Sequence, residues 1–169
     1  MIVVSDTSPL NYLVLIQAVE VLPRLFQQVI VPAKVMEELS HSRTPAAVRS
    51  WASMPPAWLC INTPSNTMTF SVALDPGESQ AIALAKELNA QVILMDERKG
   101  RRVATELGLA VVGTITVLEK AAEQGLLDLP QALHALQRTT FHMSVELLQS
   151  TLQRDAARKK DAPRPPATP

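Results

Sequence analysis

The sequence predicts an α/β fold in which helices flank a parallel β-sheet. Five short runs of β-favouring residues alternate with stretches of helical spacing, and this alternation is typical of a parallel sheet. The chain has 169 residues, of which 47% are hydrophobic and 19% charged, so its size and composition fit one globular domain. The predicted strands are residues 2–5, 28–31, 58–62, 91–95 and 109–112.

Capping and turn residues indicate the helices between these strands. Prolines beside capping residues predict helix starts, and glycines predict helix ends. The starts are at Ser8-Pro9, Pro32 and Asp75-Pro76, and the ends are at Gly108 and Gly125. The clearest helix covers residues 76–88, where apolar residues three or four apart form one buried stripe.

The C-terminal part of the chain predicts three helices and a tail. The helices cover residues 114–124, 130–138 and 144 to about 160. Residues 161–169 contain four prolines, which favours a disordered tail. Residues 63–74 lack periodicity and predict a loop. We therefore expect one domain over residues 1–153, followed by the end of the last helix and the tail.

Composition and charge argue against several classes of function. No apolar run approaches the roughly 18 to 20 residues that cross a bilayer, and the first residues lack the basic segment of a secretory signal. Cys60 is the only cysteine, and the three histidines are scattered without metal-ligand spacing, so any metal must be held by oxygen atoms. Residues 1–153 contain 11 basic and 14 acidic residues, which disfavours a DNA-groove-binding protein. We expect a cytoplasmic protein without membrane contact.

Four acidic residues are predicted to meet at one edge of the sheet. Asp6 directly follows the first strand and Asp96 the fourth, and ligands of parallel α/β sheets bind beyond the carboxyl ends of the strands. Glu38 and Glu78 lie in helices that should open at the same edge. Carboxylates brought together repel one another, so such a cluster usually implies a bound cation. Oxygen ligands favour Mg²⁺ or Mn²⁺, which assist phosphodiester hydrolysis.

Four segments together resemble the PIN-domain ribonucleases. Each motif alone is weak, whereas their order and spacing are specific. The segments are Val4-Ser5-Asp6-Thr7-Ser8-Pro9-Leu10, Val31-Pro32-x-x-Val35-x-x-Glu38-Leu39, Leu74-Asp75-Pro76-Gly77-Glu78-x-x-Ala81-Ile82 and Leu94-Met95-Asp96-Glu97-Arg98-x-x-Arg101-Arg102. The resemblance extends over residues 2–125, and it is strongest to a bacterial and archaeal PIN-like subset with Gly-Glu at the third acidic position.

The resemblance implies a three-layer, Rossmann-like fold with a five-stranded parallel sheet of order 3-2-1-4-5 and helices on both faces. It implies that Asp6, Glu38, Glu78 and Asp96 are the catalytic and metal-binding acids. It further implies a prokaryotic endoribonuclease that uses Mg²⁺ or Mn²⁺ and is the toxin component of a toxin-antitoxin pair. Members of this kind are often homodimers that a small antitoxin protein silences.

Alternatives remain open for two of the acids. Periodicity does not decide whether Glu37 or Glu38 points inward, and only the resemblance selects Glu38. Asp75 and Glu78 have the spacing of a capping box, which would satisfy backbone donors without a metal. Both roles are compatible, and Asp75 is an alternative ligand to Glu78.

Candidate substrate-binding residues lie beside the acids. Ser8, together with Thr7, follows Asp6 and is placed to orient water or phosphate, although Ser8 before Pro9 is also explained as a helix cap. Arg98 and Lys99 begin a basic run after Asp96 that would attract RNA phosphates, or would simply form a solvated helix face. Thr114 belongs either to the rim of the site or to a helix cap.

Two other functions compete with the ribonuclease. One is a non-catalytic PIN-like module that binds RNA or a protein partner. The other is phosphoryl transfer, because Asp6-Thr7-Ser8 is similar to the aspartyl-phosphate site of haloacid-dehalogenase-like hydrolases. In those hydrolases a second acid stands where this chain has Ser8.

Overall fold

The computed structural model describes residues 1–161, which form five strands and nine α-helices, with one or two α-helices between successive strands and three after the last strand. The strands are β1 (Ile2–Ser5), β2 (Gln28–Pro32), β3 (Leu59–Asn62), β4 (Val92–Leu94) and β5 (Val111–Val112). The helices are α1 (Thr7–Leu15), α2 (Leu22–Leu25), α3 (Ala33–Leu39), α4 (Ala46–Ser53), α5 (Pro76–Glu87), α6 (Arg98–Glu106), α7 (Thr114–Glu123), α8 (Leu129–Gln137) and α9 (Val145–Asp161). A 3₁₀ turn, Val19–Val21, precedes α2.

The five strands form one parallel sheet in the order β3-β2-β1-β4-β5. The predicted order 3-2-1-4-5 is therefore confirmed. The central strand β1 pairs with β2 on one side and with β4 on the other, with Val3 opposite Val29 and Val92. Parallel neighbours need a crossover connection, and each crossover here contains at least one helix. All five strands consequently end at the same edge of the sheet.

Side chains of the strands alternate between two hydrophobic cores, one on each face of the sheet. Val3 of β1 points into one core, whereas Val4 points into the other. Helices α5 and α6 cover the Val4 face, and the helices contributing buried residues to the Val3 face are α1, α2, α3, α4, α7 and α8. Because a buried strand must have apolar residues on both faces, the runs of Val, Ile and Leu are nearly continuous. The three-layer α/β fold is confirmed.

Some predicted element boundaries differ from the structure. Ser8 is not a helix N-cap, because α1 already begins at Thr7 and Asp6 occupies the N-cap position. Pro32 is the last residue of β2 and the N-cap of α3 rather than its first residue. Strands β4 and β5 are shorter than predicted. The residues at their predicted ends, such as Gln91 and Met95, each form an isolated backbone hydrogen bond to a neighbouring strand and do not extend the paired ladder. The loop at residues 63–74 contains no helix or strand.

The last helix, α9, packs against α7 and α8 and extends to Asp161. Asp161 is therefore helical, contrary to its predicted place in the tail. The rest of the predicted tail, residues 162–169, lies outside the described residues. Among the helices within residues 1–161, none combines the length and the hydropathy needed to span a membrane.

Candidate functional site

The candidate site lies where β1 and β4 end side by side. Asp6 follows β1 directly, and its backbone N–H donates to the carbonyl of Leu94 at the end of β4 at 2.9 Å. Asp96 follows β4 after one intervening residue. The adjacency of these strands, which are far apart in sequence, brings the two aspartates to the same edge. Asp6 is nearly fully buried and has 3% of its surface exposed.

Burial and neighbouring acids change the protonation of Asp6. Burial, reinforced by the negative charges of Glu78 and Glu38, raises its pKa from 3.8 to about 7. The backbone N–H groups of Thr7 and Ser8 oppose this effect, because they stabilise the ionised carboxylate. An acid with this pKa is only partly ionised at neutral pH. A bound cation would compensate the buried charge.

Glu38, rather than Glu37, faces the site. The hydroxyl of Thr7 donates to Glu38 Oε2, and the backbone N–H of Gly77 donates to Oε1 at 2.9 Å. These two bonds link α3 to the first turns of α1 and α5. Glu37 points outward instead and forms an ion pair of 2.8 Å with Lys34. Rotation about α3 thus separates two neighbouring glutamates into one facing the site and one facing solvent.

The carboxylate of Glu78 has two differently placed oxygen atoms. Oε2 accepts a bond of 3.0 Å from the backbone N–H of Asp75, as a capping glutamate does. Oε1 is buried and has no hydrogen-bond partner within the described residues. Burial raises the pKa of Glu78, the charges of Asp75, Glu97 and Glu38 raise it further, and the Asp75 N–H lowers it. One oxygen therefore caps α5, while the other remains available for a ligand.

Asp96 is held by the first residue of α7. The backbone N–H of Thr114 donates to Oδ1 at 2.8 Å, and its hydroxyl donates to Oδ2 at 2.6 Å. Burial raises the pKa of Asp96, whereas the bonds from Thr114, the positive charge of Arg101 and the hydroxyl of Ser8 lower it. Both carboxylate oxygens thus have donors from Thr114, which fixes the side chain at the sheet edge.

Three glycines leave the space that the acidic side chains occupy. A Cβ atom placed on any of them would be closer to a carboxylate than nine in ten real Cβ contacts allow. The pairs are Gly77 with the carboxyl carbon of Glu38 at 2.8 Å, Gly100 with Glu78 Oε1 at 2.9 Å, and Gly113 with Asp96 Oδ1 at 3.1 Å. These three glycines are therefore part of the site, although they bear no chemistry of their own.

The structure places the predicted substrate-binding residues at different distances from the acids. Ser8 and Thr114 both contact Asp96, so they lie within the site. Arg98 and Lys99 are exposed at the start of α6. Arg101 belongs to the same predicted basic run, which would attract RNA phosphates, but it was not selected as a site residue; it reaches the end of β4 and donates to the Met95 carbonyl at 2.7 Å. Its only signal in the sequence was membership of the basic run after Asp96.

The donor set fits a hard divalent cation in type and in charge. The side chains of all four acids end in carboxylate oxygens, the pKa values of Asp6, Glu78 and Asp96 are raised, and one buried carboxylate oxygen lacks a partner within the described residues. Within residues 1–161, however, no three His, Cys, Asp or Glu side chains stand close enough together to hold a metal ion. The carboxylates of Glu38 and Asp96 are instead held by protein donors. Side-chain rotations would be needed to bring three of these carboxylates onto one ion.

The fold and the site together define an α/β protein with a carboxylate-lined site at the carboxyl edge of a parallel sheet. A family model described as "PIN domain" matches residues 2–156, and the chain belongs to the PIN-domain family. The PIN domain is a nuclease-type fold whose members typically use divalent metals.

The solved structures similar to the chain include an archaeal protein. This is a PilT N-terminus domain protein from the hyperthermophilic archaeon Sulfolobus solfataricus P2, and it is 15% identical to the chain. The similarity covers 85% of this chain and 100% of the archaeal chain, with a TM-score of 0.46. No curated protein matches the chain.

Proposed function

We propose that the chain is an endoribonuclease that hydrolyses RNA phosphodiester bonds with Mg²⁺ or Mn²⁺. The observation that supports this most strongly is the burial of Asp6 beside Glu78 and Glu38, which raises the pKa of Asp6 to about 7. Buried, uncompensated carboxylates destabilise a fold unless they serve a ligand. Membership of a nuclease-type family supports the same chemistry.

Each acid has a defined role in this proposal. Asp6, Glu38, Glu78 and Asp96 would hold the cation. When bound, the cation would activate a water molecule and neutralise charge on the phosphate. The protein's own donors hold two of the acids at the edge of the site, since Thr114 donates to Asp96 and the backbone N–H of Asp75 donates to one oxygen of Glu78. Side-chain rotation would then bring the carboxylate oxygens onto the cation.

The substrate-binding residues predicted from the sequence belong to the same proposal. Ser8 and Thr114, which touch Asp96, would orient a phosphate oxygen or a water molecule. Arg98 and Lys99, which are exposed on α6, would attract the RNA backbone through screened, long-range electrostatics.

The test is cleavage of a mixed pool of single-stranded and structured RNA by purified protein with Mn²⁺. We expect cleavage that EDTA stops and that Asp6→Asn and Asp96→Asn abolish while both variants keep the native circular dichroism spectrum. Glu106→Gln, which changes an exposed acid paired with Arg102 on α6, is the matched control and should cleave normally. Cleavage that persists in both aspartate variants would contradict the proposal.

The biological role we propose is that of a toxin in a toxin-antitoxin pair, acting in the cytoplasm as a homodimer silenced by a small antitoxin protein. The resemblance of its acidic motifs to PIN-domain toxins supports this role. Induced expression in a bacterial host should arrest growth, and Asp6→Asn should restore it. Light scattering of the purified protein would give the oligomeric state.

A second candidate function is a non-catalytic PIN-like module that binds RNA or a protein. One observation favours it: among the described residues, no three acidic side chains stand close enough together to hold a metal ion. Binding of RNA without metal and without cleavage would support this function over the nuclease.

A further inference from the structure

The basic run on α6 contains two adjacent arginines with different surroundings. Arg102 is exposed, and its Nε donates to Glu106 at 2.8 Å within the same helix. Arg101 is half-buried and lies across the ends of β4 and β5, where its Nη1 donates to the carbonyl of Met95 at 2.7 Å. Successive residues of a helix point in directions about 100° apart, so Arg102 faces solvent whereas Arg101 faces the candidate site.

The guanidinium of Arg101 lies beside the carboxylate of Asp96. A Cβ atom on Gly113 would be 2.9 Å from Arg101 Nη1 and 3.1 Å from Asp96 Oδ1, so both groups border the same small space. The ion pairs within residues 1–161 do not include Arg101, although the site contains four acids. Thr114 already donates to both oxygens of Asp96 and leaves Arg101 unpaired there.

The bond to Met95 uses only one of the five N–H donors of the guanidinium. The remaining donors of Arg101 have no partner within the described residues. A planar fork with free donors, held in place by a main-chain carbonyl, is suited to bidentate binding of a phosphate. A positive charge at the border of an acidic cluster would also offset the repulsion between those acids and the RNA backbone.

We propose that Arg101 binds a backbone phosphate of the RNA substrate next to the acidic cluster, and that it does so in preference to Arg98, Lys99 and Arg102. The proposal rests on the ribonuclease function proposed above. Arg98 and Lys99 are exposed, and Arg102 is paired with Glu106, so none of these three is fixed at the site.

The experiment measures affinity for a labelled single-stranded oligoribonucleotide over a range of KCl concentrations, in the Asp6→Asn background to prevent cleavage. We expect Arg101→Gln to weaken binding on the order of tenfold, because a charge-assisted bond is lost. The slope of log affinity against log salt should fall by about 0.7, the value for one phosphate contact on a single strand. Arg102→Gln, the matched control, should change neither quantity.

Two further variants separate phosphate binding from a structural role. Arg101→Met also removes the charge but keeps an apolar stem. It replaces Arg101→Gln if that variant fails to fold, and it should show the same loss of RNA affinity and of salt slope. Arg101→Lys keeps the charge without the fork, so the salt slope should be retained while part of the affinity is lost. Weaker binding with an unchanged salt slope in Arg101→Gln would show a structural role and overturn the proposal.

The outcomes distinguish this proposal from the function on which it rests. If the parent protein cleaves RNA with Mn²⁺ and Arg101→Gln binds RNA as Arg102→Gln does, the role of Arg101 is wrong and the nuclease function stands. If the parent protein neither binds nor cleaves RNA, both proposals are wrong.

Discussion

At the scale of single residues, the acidic site depends on glycines as much as on acids. Gly77 donates its N–H to Glu38 and leaves the space that the Glu38 carboxylate fills. A methyl group at this position would overlap the carboxyl carbon, which lies 2.8 Å from the ideal Cβ position. The position therefore constrains the side chain of an acid on another helix rather than the conformation of its own backbone.

We predict that Gly77→Ala displaces the Glu38 carboxylate and lowers RNA cleavage by on the order of 10²-fold, because a misplacement of about 1 Å in a catalytic constellation has this effect. The measurement is the cleavage rate with Mn²⁺, with thermal unfolding as a check on the fold. A double-mutant cycle with Glu38→Ala provides the control. If the glycine acts through Glu38, adding Gly77→Ala to Glu38→Ala should cause little further loss, whereas additive losses would contradict this account.

The sequence predicted the positions of some site residues better than others. Asp6 and Asp96 followed from strand ends alone, because every strand of a parallel sheet ends at the same edge. The choice between Glu37 and Glu38, and between Arg101 and Arg102, depends on about 100° of helix rotation that periodicity in a short helix does not determine. The assignment of Ser8 as a cap was wrong, because Asp6 takes the N-cap position.

At the scale of elements, α9 is attached to the fold through a buried acid. Asp155 is 4% exposed, and it forms ion pairs with Arg158 and, at 2.8 Å, with Lys159. Arg158 also donates to the carbonyl of Ala122 at the end of α7, at 3.0 Å. Burial alone would raise the pKa of Asp155, but the bonds and charges of Lys159 and Arg158 together lower it.

We predict that Asp155→Asn destabilises the protein by about 1 to 3 kcal/mol at pH 7, because two cations lose their buried partner. Since the folded-state pKa of Asp155 is lower than the ordinary 3.8, its stabilising effect is present above about pH 4 and is lost as the pH falls further. Urea unfolding at pH 7 and pH 3.5 measures this difference. Glu106→Gln, at an exposed pair, should change stability by less than about 0.5 kcal/mol. A difference between Asp155→Asn and the parent that grows on acidification would contradict the prediction.

Element types were easier to predict from the sequence than their boundaries. The alternation of apolar runs and capping signals gave all five strands and the sheet's parallel arrangement, because burial on both faces requires continuous apolar runs. Helices α2 and α4 had no distinct signal, since α2 has only four residues and neither begins with a side-chain cap. The strand order came from the resemblance, because periodicity along one strand contains no information about its neighbours.

At the scale of the whole molecule, the site raises the free energy of the metal-free fold. Asp6 has a pKa of about 7 in the folded protein, compared with its ordinary value of 3.8, which applies to the unfolded chain. Between about pH 4 and about pH 7 the folded chain therefore keeps a proton that the unfolded chain has released. Stability of the metal-free protein therefore falls as the pH rises from about 4 to about 7. A divalent cation would reverse this loss, because it binds only the folded arrangement.

We predict that Mn²⁺ raises the melting temperature by about 5 to 10 °C at pH 8 and 100 times its Kd, which corresponds to about 2.7 kcal/mol. The increase should be smaller at pH 5.5, where a proton competes with the cation at Asp6. Differential scanning fluorimetry with MnCl₂ and with EDTA measures both values. Asp6→Asn should show little increase, and Glu106→Gln should behave as the parent protein. An equal increase in Asp6→Asn would place the cation elsewhere.

The order of the strands also bears on protein synthesis. The middle strand β1 is made early, yet one of its two neighbours, β4, follows only after β2 and β3. On the ribosome, Asp6 emerges long before Asp96 and Thr114, which must be added before the two aspartates can meet. Under the ribonuclease function proposed above, a growing chain with this topology would be unable to cleave the messenger RNA that encodes it until most of the domain has left the exit tunnel.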